Sequence, residues 1–154
     1  MTPTNLPSFF KQRVHASALL LAVLLFLFNA SLSAQSGADD LLGKYMVPSK
    51  DGAIEIYKTG SKYYGKIILN KDPEKLDFNN PDKTKQSRKV LGTTILNDFV
   101  FKGGQLWEDG TIYDPKNGKT YSCKITRMKN GDLEIRGFIG ISLLGRTEVF
   151  VRLK

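Results

Sequence analysis

The sequence predicts an all-β fold: eight antiparallel strands forming an up-and-down barrel, with one long loop between strands three and four. Three observations predict it. Apolar and polar residues alternate with period two in eight segments between residues 42 and 154, the mark of half-buried strands. Nearly all of these segments are joined by tight-turn sequences, among them Asp51-Gly52, Gly60-Ser61, Gly103-Gly104 and Asn130-Gly131. None of them carries the 3.6-residue period of an amphipathic helix. Sequential antiparallel strands in this number can close on themselves, and closure removes the edges that invite aggregation. An open sandwich of two sheets is the alternative.

The strands follow in order. The first is Gly43–Val47, stopped by Pro48. The second runs from Ala53 to Lys58 with Ile54 and Ile56 on one face, and the third from Lys62 to Leu69 with Tyr63, Ile67 and Leu69 on one face. Periodicity then stops. Residues 70–89 hold two prolines and many charges, and read as one long loop able to cover a barrel mouth. Alternation returns over Leu91–Phe101, with Ile95, Phe99 and Phe101 on one face and Leu96 and Val100 on the other. Strand five is Gln105–Tyr113, and Asp114–Gly118 is its turn. Strand six, Lys119–Met128, sets Tyr121, Cys123 and Ile125 opposite Thr120, Ser122, Lys124 and Thr126. Strand seven is Asp132–Phe138. A Gly-rich corner through Gly140 and Gly145 leads to strand eight, Arg146–Leu153, with Thr147, Val149, Val151 and Leu153 on one face.

Ahead of these strands lies a different kind of sequence. Residues 1–34 carry Lys11 and Arg13 and no acid, then a 13-residue apolar run from Ala16 to Phe28, then the small and polar Asn29–Ala34. These are the three parts of a secretory signal peptide, and the run is short of the roughly 20 apolar residues of a spanning helix. Cleavage after Ala34 would leave residues 35–154, a periplasmic or secreted chain that does not span a membrane. Residues 35–41 are expected to be loose. No cysteine lies near the exit, which argues against a lipid anchor. Loss of Lys11 and Arg13 lowers the net charge from +8 to +6. The densest basic cluster, Lys83, Lys85, Arg88 and Lys89 in the long loop, is a candidate contact for an anionic envelope surface. Nucleic acid is a poor partner for an exported chain.

The same reading narrows the chemistry. The lone cysteine, Cys123, has no disulfide partner and alternates with core residues, so it reads as a small apolar group. The only histidine, His15, lies in the segment expected to be removed, which takes away Cys–His and Ser–His catalysis and His-based zinc sites. Glu108, Asp109 and Asp114 are close in sequence, but alternation puts Glu108 and Asp109 on opposite faces, so paired acid–base work is not expected. Asp72, Asp77, Asn79, Asn80 and Asp82 crowd one loop without the spacing of a calcium site. No enzyme, metal or cofactor is predicted.

Several short motifs resemble those of the bacterial exported family known as domain of unknown function 2147, which has a lipocalin-like barrel. They are Gly43-Lys44-Tyr45, Asp77-Phe78-Asn79-Asn80-Pro81, Gly92, Trp107, Gly110-Thr111-Ile112-Tyr113-Asp114-Pro115, Gly118-Lys119-Thr120-Tyr121, Leu133-Glu134-Ile135-Arg136-Gly137, Gly145-Arg146-Thr147 and Arg152. The chain departs at Tyr45, where the family usually has Trp. The resemblance implies a lipocalin-like barrel in which Tyr45 stacks with Arg152 at the base. It implies no activity.

A ligand cup is the functional expectation. Trp107 and Tyr113 sit six residues apart on one predicted face of strand five, and Tyr63, Phe99 and Tyr121 lie on faces suited to the interior. Arg136 and Arg146 flank the last corner, and Asp77 and Asn80 stand in the long loop as polar anchors. Aromatic walls with a few polar groups are the usual form of a small-molecule site. The expected ligand is small and apolar or amphipathic, such as a lipid or fatty acyl group. The alternative is a filled barrel that meets an envelope surface through its basic loop.

Overall fold

The computed structural model describes residues 37–154, so the predicted signal segment 1–34 and its cleavage site lie outside the described residues. The chain from Ala38 onward forms one unit. Its eight strands are β1 (Gly43–Met46), β2 (Gly52–Thr59), β3 (Lys62–Asn70), β4 (Thr94–Gly103), β5 (Leu106–Asp114), β6 (Lys119–Arg127), β7 (Leu133–Phe138) and β8 (Arg146–Arg152). Each pairs antiparallel with its neighbour in sequence, and β1 pairs with β8 through Tyr45↔Arg152 and Met46↔Val151. The barrel is therefore closed, and the sandwich alternative falls away.

The alternation in the sequence becomes an inside and an outside. Ile54, Ile56, Tyr63, Cys123, Ile125, Leu133, Ile135 and Phe150 point inward and are buried. Two glycines let the interior close tightly. A Cβ on Gly110 would stand 2.5 Å from the Phe99 ring, and one on Gly65 2.8 Å from Leu96. Only glycine gives those side chains room against a strand backbone. On β8, Thr147, Val149, Val151 and Leu153 face outward and are exposed.

Two aspartates break the predicted alternation. Asp98 in β4 and Asp109 in β5 have positive φ (63° and 62°), and the strand register shifts beside each of them. Each bulge adds a residue and flips the parity of the rest of its strand. Leu96 thus joins Phe99 in the interior, against the predicted faces of strand four. In β5, Trp107, Gly110 and Ile112 pair with the inward Ile125, Cys123 and Tyr121, while Tyr113 pairs with the outward Thr120. Trp107 and Tyr113 are on opposite faces, which corrects the reading that put them together. Polar partners hold both bulges: Asp98 accepts bonds from Lys62 Nζ and Tyr64 OH, and Asp109 pairs with Lys102.

The two ends of the barrel differ. At one end the turns after β2, β4 and β6 meet the entering chain. There Asp39–Leu41 forms a 3-10 turn and Leu41 is completely buried. Residues 38–41, expected to be loose, are a packed lid, because Leu41 and Ala38 cover the apolar base. At the other end lie the turns after β1 and β5, the corner after β7, and segment 71–93. That segment is tied by a Leu76↔Lys89 bridge and by a 3-10 turn at Lys83–Lys85.

Candidate functional site

The predicted aromatic cup separates into three places. Trp107, Tyr63 and Phe99 do meet, but as a solid plug. Each is at most 1% exposed. The Tyr63 and Trp107 rings cross edge to face at 6.3 Å between centroids, and Phe101 lies 5.0 Å from Trp107. Their polar tips are spent on the lid: Trp107 Nε1 donates to Ala38 O at 3.2 Å, and Tyr63 OH donates to Asp39 Oδ1 at 2.6 Å. Beside them Arg152 lies over the Tyr45 ring and donates to its hydroxyl at 3.0 Å, the pairing the resemblance implied. The Tyr45 hydroxyl in turn donates to Leu41 O. Burial pushes the nearby Cys123 thiol up to about 12, so it stays protonated and inert at neutral pH.

Tyr113, Asp77 and Asn80 form a second cluster, on the outer wall. The Asp77 carboxylate is wholly buried and accepts from Tyr113 OH (2.6 Å), Asn80 Nδ2 (2.8 Å) and Arg88 Nε and Nη2 (3.1 and 2.9 Å). Burial alone would raise its pKa. The hydrogen bonds from Tyr113, Asn80 and Arg88, with the Arg88 charge, outweigh burial and hold it below the usual value. Burial, and then the bond to Asp77, pushes the Tyr113 phenol up to about 12. Asp77 is thus the pin that fixes segment 71–93 against the barrel, not a ligand anchor. Asn79 adds a second fastening through Pro115 O and Lys116 O. A cleft of about 320 Å³ opens beside the pin, lined by Asn80, Lys85, Arg88, Asn97, Tyr113 and Thr120 among others. Tyr113 and Thr120 are an outward-facing pair, so this cleft is on the wall and not in the barrel interior.

The third place is the open end. Tyr121 shares the inward face with Cys123 but is only half-buried, and its hydroxyl accepts from Asn117 Nδ2 at 3.0 Å. Around it, Val47, Ile67 and Ile112 pack on the core while staying partly exposed. Leu69, expected on the face of Tyr63 and Ile67, lies beyond a register shift, pairs with the outward Ala53 and is 49% exposed. Arg146 and Glu148 share the inward face of β8 with Phe150, and they pair at 2.9 Å with the Arg146 side chain 85% exposed. Arg136 is elsewhere. It is on the outer face of β7 and is fully engaged, donating to Ser142 O, Leu143 O and Thr147 Oγ1. It holds the corner after β7 and is unavailable to a ligand.

Of the predicted ligand residues, only Tyr121 and Arg146 therefore stand at an accessible apolar surface. Val47, Ile67 and Ile112 were overlooked as site residues. The signal for Val47 and Ile67 was available, since alternation puts them inward near the strand ends; that for Ile112 was not, because it lies beyond the Asp109 bulge. Among the described residues, no group of three or more His, Cys, Asp or Glu could hold a metal, and no helix is long and apolar enough to cross a membrane.

An up-and-down barrel of eight strands, plugged at one end and apolar at an open mouth, is a lipocalin-like protein in architecture. Among solved structures it is similar to protein HP1028 from the human pathogen Helicobacter pylori, described as belonging to the lipocalin family. That match has 26% identity and a TM-score of 0.68, and it covers 74% of this chain and 83% of the other. The chain belongs to the bacterial family DUF2147, described as an uncharacterized protein conserved in bacteria, whose model matches residues 43–152. No curated protein matches it.

Proposed function

We propose that the protein binds a small apolar or amphipathic molecule, such as a lipid or fatty acyl group, at the open end of its barrel, and that it does so in the cell envelope after removal of residues 1–34. One observation carries this reading. The inward apolar side chains Val47, Ile67, Ile112 and Tyr121 remain only part-buried, and they would form the floor of a shallow apolar cup. The apolar part of a ligand would lie on these four, with Arg146 at the rim to meet a carboxylate or other anionic head. The fold is compatible with small-ligand binding. The plug keeps the ligand shallow, so the bound tail is short or partly exposed.

A binding role is favoured over a catalytic one. The carboxylates that drew attention are committed, Asp77 to three partners and Asp109 to Lys102. The basic loop is less suited to an anionic surface than its sequence suggests. Lys85, Arg88 and Lys89 pair with Asp82, Asp77 and Glu74, so most of the cluster's charge is already met within the loop.

Native mass spectrometry of protein purified from its own host tests the reading. A retained lipid-sized adduct is expected, with one palmitate bound after delipidation and binding lost in Ile67→Asp but kept in Trp107→Phe. No adduct and no palmitate binding by a folded protein would overturn it. The same spectra give the mass of the processed chain, expected to begin at or next to Gln35.

A further inference from the structure

The corner between β7 and β8 holds an apolar surface that neither the plug nor the cup uses. Residues 137–145 read GFIGISLLG and carry no charge. Ile139, Ile141, Leu143 and Leu144 are 71%, 61%, 80% and 79% exposed. Four large aliphatic side chains within six residues, all turned to solvent, are unusual on a soluble surface. The corner is also built to hold its shape. Arg136 donates three hydrogen bonds into it and its base, Leu144 N donates to Ile141 O, and Gly145 packs so closely that a Cβ there would meet Gly137 O at 2.6 Å. A loop held this firmly presents its leucines instead of folding them away.

We infer that this corner is a docking surface for an anionic lipid bilayer, inserting Ile139, Ile141, Leu143 and Leu144 into the headgroup boundary. Charge complementarity selects a bilayer over an uncharged partner. Arg146 follows the corner directly and extends into solvent, and exposed Lys116 and Lys119 stand at the next turn of the same end, with Lys50 and Lys71 beyond. Opposing carboxylates are present but engaged: Glu148 with Arg146, Asp51 with Ser49 and Asp114 with the backbone of Lys116. Aliphatic side chains at the tip with cations behind them is the arrangement that binds an interface by apolar burial and attraction to anionic lipid together. Docking in this pose turns the open end of the barrel toward the membrane. The inference stands on the corner alone and does not need the cup to be occupied.

Vesicle co-sedimentation of the protein purified from its own host tests it. Vesicles of phosphatidylethanolamine with phosphatidylglycerol are compared with phosphatidylcholine alone. The protein should pellet with the anionic vesicles, and Leu143→Ser/Leu144→Ser should weaken this roughly tenfold or more while the melting temperature is unchanged. Arg146→Gln should weaken it less, and high salt should weaken wild-type binding. Lack of wild-type binding overturns the inference. So does equal binding by the double variant, which would place the contact elsewhere. A double variant that instead loses self-association in gel filtration, with no vesicle effect, would assign the corner to a second copy and overturn it as well. Palmitate binding by the double variant is measured in parallel, so that failure of docking and failure of the cup are told apart.

Discussion

At the base of the barrel Tyr45, Tyr63 and Trp107 each place a polar tip on the 38–42 segment, whereas at the mouth Tyr121 gives its hydroxyl to Asn117 on an exposed turn. The side chains are of the same kind, but their states are opposite. At the base a lid supplies partners, water is excluded and the rings are packed from every side. At the mouth the inward side chains Val47, Ile67, Ile112 and Tyr121 stay partly exposed. The comparison teaches that one residue type serves as scaffold or as surface according to whether a chain segment covers it. Aromatic content alone did not identify a cup.

The sharpest way to break the comparison is to truncate one aromatic at each end. Trp107→Ala removes the largest buried side chain and its bond to the lid, and should cost about 4 kcal/mol of stability. Tyr121→Ala, half-exposed, should cost about 1 kcal/mol or less. Urea unfolding followed by far-ultraviolet circular dichroism measures both. Equal costs would mean that the mouth is as well packed as the base, and the proposed cup would go with it.

How much of this was legible in the sequence follows from what a period-two pattern can encode. Strand number, order and turns were legible because each turn carries its own chemistry, such as Asn130-Gly131. The inward set was legible along each regular stretch of strand, as in Tyr121, Cys123 and Ile125, but not across a bulge. Asp98 and Asp109 adopt left-handed backbone angles without glycine, so nothing at those positions announces a shift: a face read from Phe99 misplaces Ile95 and Leu96, and one read from Trp107 misplaces Ile112 and Tyr113. Asp77 and Asn80 were picked out as polar residues in a long loop. Their role as a pin depends on Tyr113 emerging on the outer wall, which depends on the same bulge. The lid was missed because Ala38 and Leu41 are too few to show a pattern, and only the finished base gives them something to cover.

The Asp77–Tyr113 pin makes a second prediction, in pH. Asp77 has a lowered pKa in the fold, so its contribution is complete above the unfolded value near 4 and is lost as pH falls through the still lower folded value. Tyr113 has a raised pKa of about 12 against an ordinary 10.0. Its contribution is complete below pH 10 and is lost as pH rises from about 10 toward 12. Melting temperatures should fall at both extremes, and Tyr113→Phe should flatten the alkaline fall specifically. An unchanged alkaline limb in that variant would show that Tyr113 is not among the titrating groups. The base titrates at the alkaline extreme too, because burial raises the Tyr45 and Tyr63 phenols, so Tyr113→Phe should remove only part of the alkaline fall.

The smallest expected effect lies at the mouth and concerns order more than stability. Arg136 spends all three of its bonded nitrogens on the β7–β8 corner and its base, yet the corner buries little apolar surface of its own. Arg136→Met keeps much of the side-chain volume and removes those bonds. Because the site is partly exposed, the global cost should be about 1 kcal/mol or less. The local consequence should be larger: the amide of Gly145, which donates to Ser142 O, and that of Leu144, which donates to Ile141 O, should exchange with solvent markedly faster. Exchange at Leu133 and Ile135 on the same strand should not change, since those residues face the sealed core. If Leu144 and Gly145 exchange at the wild-type rate, the corner keeps its shape without Arg136. The base would still be ordered by burial, but the order at the mouth would have a source other than these polar bonds.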